Sequence, residues 1–80
     1  MFHYVYLLQS LDGQDHRYVG LTEDLRQRLR KHNAGEVSHT SKYRPWKISV
    51  AVAFENPQKA AAFERYLKSH SGRAFAKRHF

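Results

Sequence analysis

Tyr4-Val5-Tyr6 and Tyr18-Val19-Gly20 stand near the start of the chain, followed by Arg28 and His32 and, far downstream, by Glu64. Two phenols, a guanidinium, an imidazole and one carboxylate form a set that can cut a phosphodiester. That reaction needs an activated water, charge relief on the phosphate and help for the leaving 3′-oxygen. A guanidinium fork suits the phosphate. One carboxylate can hold Mg²⁺ when waters and substrate oxygens complete the coordination, and the ion then acts as a Lewis acid on the leaving group. A phenol that deprotonates water needs neighbouring cations, because its ordinary pKa is about 10.

Each of these residues also has an ordinary structural use. Tyrosine is a common strand residue, and Gly20 can simply interrupt a strand. Arg28 and His32 are one helical turn apart and could cover the edge of a core with stem and ring. Glu64 and Lys68 are spaced for an i,i+4 ion pair. What sets the residues apart is their order along the chain and the elements that must carry them.

Phe2 to Gln9 reads as a strand, with Phe2, Tyr4, Tyr6 and Leu8 on one face and His3, Val5, Leu7 and Gln9 on the other. Asp12-Gly13 signals a turn, and His16 to Leu21 returns as a second strand. A two-residue turn at Asp12-Gly13 would put Tyr6 and Tyr18 on opposite faces. A shared site therefore requires an odd-length loop or a bulge. Thr22 is the expected N-cap of a helix running to about Asn33 and closed by Gly35. The core stripe of that helix is Leu25, Arg28, Leu29 and His32, so two polar residues intrude where apolar ones belong.

Glu36 to Arg44 reads as a loop. Trp46 to Phe54 alternates, with Trp46, Ile48, Val50, Val52 and Phe54 expected on one face. Ala51 and Ala53, on the other, should leave room for a helix to pack closely. Asn56-Pro57 opens a second helix that runs to about His70 and is stopped by Gly72. Its stripe of Ala60, Phe63, Glu64 and Leu67 again includes a charge. Arg73 to Phe80 forms a short basic helical tail. The fold class is α+β, a three-stranded antiparallel or mixed sheet flanked by helices in the order ββαβαα, forming one domain over residues 1–80.

Lysine and arginine number 14 against 7 acidic residues, giving a net charge of +7, which points to a polyanionic partner, first of all nucleic acid. Lys42, Arg44, Arg73, Lys77 and Arg78 are the candidate phosphate contacts. No stretch reaches the ~20 apolar residues of a membrane span. Met1 to Ser10 lacks the features of a signal peptide. The chain has no cysteine, which excludes disulfides and thiolate metal sites and suits a reducing cytoplasm. Its six histidines show no zinc-ligand spacing.

Taken together, Tyr4-Val5-Tyr6, Tyr18-Val19-Gly20-Leu21-Thr22 and Leu25-x-x-Arg28-Leu29-x-x-His32-Asn33-x-Gly35 resemble the GIY-YIG nuclease superfamily. Tyr43-Arg44-Pro45-Trp46, the Ala61-to-Lys68 segment with Glu64, and Gly72-Arg73-Ala74-Phe75 are similar to its small stand-alone bacterial branch. The resemblance implies cleavage of DNA dependent on Mg²⁺ or Mn²⁺, without a small-molecule cofactor. It assigns catalytic roles to Tyr6, Tyr18, Arg28 and His32, and metal binding to Glu64. Leu21 departs from relatives that carry Lys at that place, which removes one cation beside Tyr18. Tyr4 stands where Gly is usual, and no Asn follows Glu64. Targeting would come from this module or from a protein partner. Two other readings compete: a nucleic-acid-binding module with a vestigial active site, and a basic protein-interaction subunit.

Overall fold

The computed structural model describes all 80 residues. Its elements are β1 (His3–Ser10), β2 (Arg17–Thr22), α1 (Leu25–Asn33), β3 (Trp46–Phe54), α2 (Pro57–Lys68) and α3 (His70–His79), with a single 3₁₀ turn at Ser41–Tyr43. The sheet is antiparallel throughout, in the order β2-β1-β3. Strand β1 is central and covered on both faces, so Val5, Tyr6, Leu7 and Leu8 are all buried. Alternation divides them between two cores. Val5 and Leu7 pack with Ala60, Leu67 and Ala76 under α2 and α3. Tyr6 and Leu8 pack with Trp46, Leu25 and Leu29 under α1.

The hairpin between β1 and β2 fulfils the parity that a shared tyrosine site requires. Ser10 donates its N–H to His16 O at 2.9 Å, leaving the odd-length loop Leu11–Asp15. Tyr6 pairs with Gly20 and Leu8 with Tyr18, so both phenols belong to the α1 face.

The even alternation of β3 does not survive intact. Leu7 pairs with Val50 but Leu8 with Ile48, so Ser49 is the extra residue of a β-bulge. Trp46 and Ile48 consequently join the α1 core, whereas Val50 and Phe54 join the α2–α3 core. One sequence stripe thus serves both faces. Ala51 and Ala53 are exposed and receive no helix.

Helix boundaries also shift. Asp24, not Thr22, caps α1, its side chain accepting from Gln27 N. Thr22 ends β2 and accepts from Asp24 N through Oγ1 instead. Helix α2 ends at Lys68, and Ser69 is at once its C-cap and the N-cap of α3. Gly72 therefore does not stop α2. It lies in the first turn of α3, where a Cβ would fall 1.7 Å from Tyr66 O. The two helices meet backbone to backbone at that point.

Candidate active site

The core of the site is a single hydrogen-bonded chain running from α1 through β1 and back to the loop after α1. Arg28 Nε donates to Tyr6 OH at 3.1 Å. Tyr6 OH lies 2.9 Å from His32 Nε2, and His32 Nδ1 lies 2.7 Å from Thr40 Oγ1. Thr40 Oγ1 in turn donates to Val37 O at 3.3 Å. The hydroxyl proton of Thr40 is thereby committed, so Thr40 accepts from His32 Nδ1–H. This leaves Nε2 as an acceptor and makes Tyr6 the donor to it. Every proton in the chain runs in one direction, from guanidinium to carbonyl.

Burial, followed by the neighbouring Arg28 charge, lowers the His32 pKa to about 4. Burial raises that of Tyr6, against the opposing pull of Arg28. Donating to the Tyr6 phenol oxygen raises that of Arg28. At neutral pH the chain holds an uncharged imidazole, an intact phenol and a charged guanidinium, as its donor–acceptor pattern demands.

The polar intrusions in the α1 stripe have different depths. Arg28 borders the core at its edge, but His32 is fully buried. His32 is thus no edge residue covering the rim of a core, unlike Arg28 one turn away. The imidazole lies underneath the site and supports it, with the rings of Tyr6 and Tyr18 edge-on at centroid distances of 5.9 and 5.1 Å.

Two glycine and asparagine contacts hold this arrangement. Gly20 lies opposite Tyr6, and its bare Cα lets the phenol cross over β2. Asn33 Oδ1 accepts from Trp46 N at 2.6 Å while Asn33 Nδ2 donates to Trp46 O at 3.1 Å, fastening the end of α1 to the start of β3. Trp46 Nε1 donates to Thr40 O at 2.9 Å, which fixes the threonine under His32.

Glu64 approaches from α2 and is close enough to raise the Tyr6 pKa slightly through its charge. Its Oε2 is 3.1 Å from Lys68 Nζ, the i,i+4 ion pair that the spacing suggests. Lys68 Nζ also stands 6.0 Å from the centre of the Tyr18 ring. Tyr6, Arg28 and His32 are thus joined by hydrogen bonds, Tyr18 packs on the His32 ring, and Glu64 is linked to Tyr18 through Lys68. Sequence reasoning missed Thr40, buried in a polar loop, and the position of Lys68 over Tyr18. Glu64 offers one carboxylate, and no cluster of three or more potential ligand side chains forms. That donor set fits an ion that takes most of its ligands from water and phosphate, as Mg²⁺ does.

The five candidate phosphate contacts do not share one surface. Arg73 and Lys77 line a groove that begins at Tyr18. Arg78 lies against a separate hollow with Tyr66 and Phe75. Lys42 is exposed on the 3₁₀ turn, and Arg44 donates through Nε to Ser41 O at 2.8 Å.

A family model of the GIY-YIG catalytic domain matches residues 2–78. A UPF0213 protein of Halalkalibacterium halodurans is 34% identical over 74 residues, covering 91% of this chain and 77% of its own length. A UPF0213 protein of Streptococcus pneumoniae is 36% identical over 66 residues, and the match spans 65% of that protein. The structure-specific endonuclease subunit SLX1 of Scheffersomyces stipitis is 38% identical over 69 residues, a match to 79% of this chain but 20% of that protein. The solution structure of a UPF0213 protein from Bacillus halodurans superposes with a TM-score of 0.56 at 30% identity, covering 95% of this chain and 82% of the other. With the family model spanning nearly every residue and the motif side chains converging in space, the chain belongs to the GIY-YIG family, whose catalytic domain is of the nuclease type.

Proposed function

We propose that this protein is a metal-dependent endonuclease that hydrolyses DNA phosphodiester bonds, with Tyr6, Tyr18, Arg28 and His32 as its catalytic set and Glu64 as its metal ligand. The observation that carries this reading is the directed chain Arg28–Tyr6–His32–Thr40, built beside Tyr18 and Glu64. A structural edge pair would not need a buried, neutral histidine braced from both ring nitrogens.

Arg28 commits Nε to Tyr6, and its terminal nitrogens are the donors that would clamp a phosphate. Tyr6 keeps its proton and anchors that guanidinium. His32, neutral and an acceptor at Nε2, holds Tyr6 in place. Tyr18 is assigned to the attacking water, which it positions and deprotonates, with Arg28 and Lys68 as the cations beside it. Glu64 would hold Mg²⁺ or Mn²⁺, and the ion, when bound, supplies Lewis-acid relief of charge on the leaving 3′-oxygen. The net charge of +7 supports a polyanionic substrate. The yeast relative is named as a subunit, and a protein partner that supplies targeting belongs to the same proposal.

The test is incubation with plasmid and branched DNA, with Mg²⁺ or Mn²⁺ and with chelator, for the wild type and Glu64→Gln. Cleavage that needs metal and disappears in Glu64→Gln is expected, with the thermal midpoint and DNA affinity retained. Salt-sensitive DNA binding without cleavage under any of these conditions would favour a binding module instead. Absence of DNA binding would favour a protein-interaction subunit.

A further inference from the structure

A neutral imidazole carries a single N–H, so the tautomer of His32 decides what its partners can do. With the proton on Nδ1, Tyr6 spends its own hydroxyl proton on Nε2 at 2.9 Å. With the proton on Nε2, the imidazole donates to Tyr6 instead. The phenol oxygen would then receive two donors, Nε2–H and the Nε–H of Arg28 at 3.1 Å. Two donors, one of them charged, favour loss of the phenol proton. Until it left, that proton would have no acceptor in a buried site, which is costly. The tautomer thus separates a phenol held as a donor from one pressed toward phenolate.

The choice falls to one side chain. The partner of Nδ1 is Thr40 Oγ1, at 2.7 Å, and Thr40 is buried. Its main chain is tethered at both polar atoms. Thr40 N donates to Val37 O at 3.1 Å. Thr40 O accepts from Tyr43 N at 3.2 Å and from Trp46 Nε1 at 2.9 Å. So held, Oγ1 stands 3.3 Å from Val37 O, an acceptor that takes its proton. What Oγ1 then offers Nδ1 is a lone pair. No other side chain reaches Nδ1, so the loop carrying Thr40 sets the imidazole proton from below.

We propose that Thr40 is a positioning residue that holds His32 as its Nδ1–H tautomer, keeps Tyr6 an intact phenol and thereby leaves the role of base to Tyr18. The catalytic half of this rests on the nuclease reading. The tautomer rests on the hydrogen bonds alone.

The tautomer is read by two-bond ¹H–¹⁵N correlation of the histidine rings at pH 7, where His32 is neutral. His32→Gln identifies its signals among the six histidines. The wild type and Thr40→Ser, which keeps the hydroxyl, should show a protonated Nδ1 and an unprotonated Nε2. Thr40→Val removes the acceptor, so the proton should move to Nε2, where Tyr6 can accept it. Cleavage should fall about ten- to a hundredfold in Thr40→Val, the order of loss when a partner that orients a functional histidine is removed. Thr40→Ser should cut within a few-fold of wild type. A protonated Nε2 in the wild type, or Nδ1–H retained in Thr40→Val, overturns the assignment. The wild-type spectrum needs no variant, so it decides this even should Thr40→Val fail to fold. A tautomer that moves without loss of cleavage overturns the positioning role. Expected tautomers in a wild type that cuts no DNA overturn the nuclease reading, and not the place of the His32 proton.

Discussion

Gly20 stands directly across the β1–β2 ladder from Tyr6, and a Cβ at Gly20 would lie 2.3 Å from the Tyr6 phenol oxygen and 2.4 Å from the carbon that bears it. The glycine of the second motif therefore exists for the tyrosine of the first. Its φ is not in the left-handed region, so close approach, not backbone freedom, is the reason for glycine here. Gly20→Ala should force Tyr6 away from Arg28 and His32. We expect a stability loss of about 1–3 kcal/mol from overpacking. Cleavage should fall by about a hundredfold, since a displacement on the order of 1 Å is enough for that. Thermal midpoint and cleavage rate measured together decide the matter. A folded Gly20→Ala protein that cuts at the wild-type rate would show that the placement of Tyr6 is not needed.

Arg28 has two tasks that lysine cannot divide between its atoms. Nε is spent on Tyr6 OH, and the terminal nitrogens remain for phosphate. Lysine has one nitrogen on a flexible stem. Arg28→Lys should therefore lower cleavage on the order of a hundredfold, as loss of a positioned charge donor does, with little change in DNA affinity. A rate within a few-fold of wild type would mean that charge alone suffices and that the Tyr6 contact is incidental.

The neutral state of His32 links the fold to pH. Its pKa is about 4 when folded against an ordinary 6.5, so the unfolded chain binds the proton more readily. Stability should be full above about pH 6.5, fall as pH drops toward 4, and level off below it. The loss across that window is on the order of 3 kcal/mol. His32→Gln, which cannot titrate, should flatten this part of the profile. Denaturant midpoints recorded for both proteins across the window test this, and parallel curves would remove His32 as the cause.

Much of this architecture is legible in the sequence, for reasons that particular residues make plain. The tyrosine parity is legible only through the shared site it serves, since Asp12-Gly13 by itself signals a two-residue turn that would separate the phenols, whereas the loop spans Leu11–Asp15. The polar residues in the helical stripes, Arg28, His32 and Glu64, point to the candidate site because they contradict local amphipathicity. The bulge at Ser49 is not legible, since nothing in an even alternation says that the strand must serve two cores. Thr40 is hidden for a different reason: a threonine in a polar loop acquires meaning only when tertiary contacts bury it against His32. Gly72 reads as a helix stop until the approach of Tyr66 O is seen. The missing cation after the second motif, with Leu21 where some relatives carry Lys, reads as a weakness. In space Lys68 stands beside Tyr18 from another element.

That position of Lys68 leads to a last prediction. Its ammonium is shared between the Glu64 carboxylate at 3.1 Å and the face of Tyr18 at 6.0 Å. A divalent ion approaching Glu64 must compete with it. Lys68→Met keeps most of the stem and removes the charge, so Mn²⁺ should bind the protein alone about fivefold more tightly, the equivalent of ~1 kcal/mol of water-screened attraction. Cleavage at saturating metal should nevertheless fall, because the site around Tyr18 loses a positive charge that stands beside the attacking water and phosphate. The variant should remain folded, since a half-exposed ion pair contributes little to stability. Mn²⁺ titration by electron paramagnetic resonance, with Glu64→Gln as the control, separates the two effects from a general loss of structure. Unchanged Mn²⁺ affinity would mean that Lys68 does not compete for Glu64. Unchanged cleavage at saturating metal would mean that Tyr18 does not depend on this lysine.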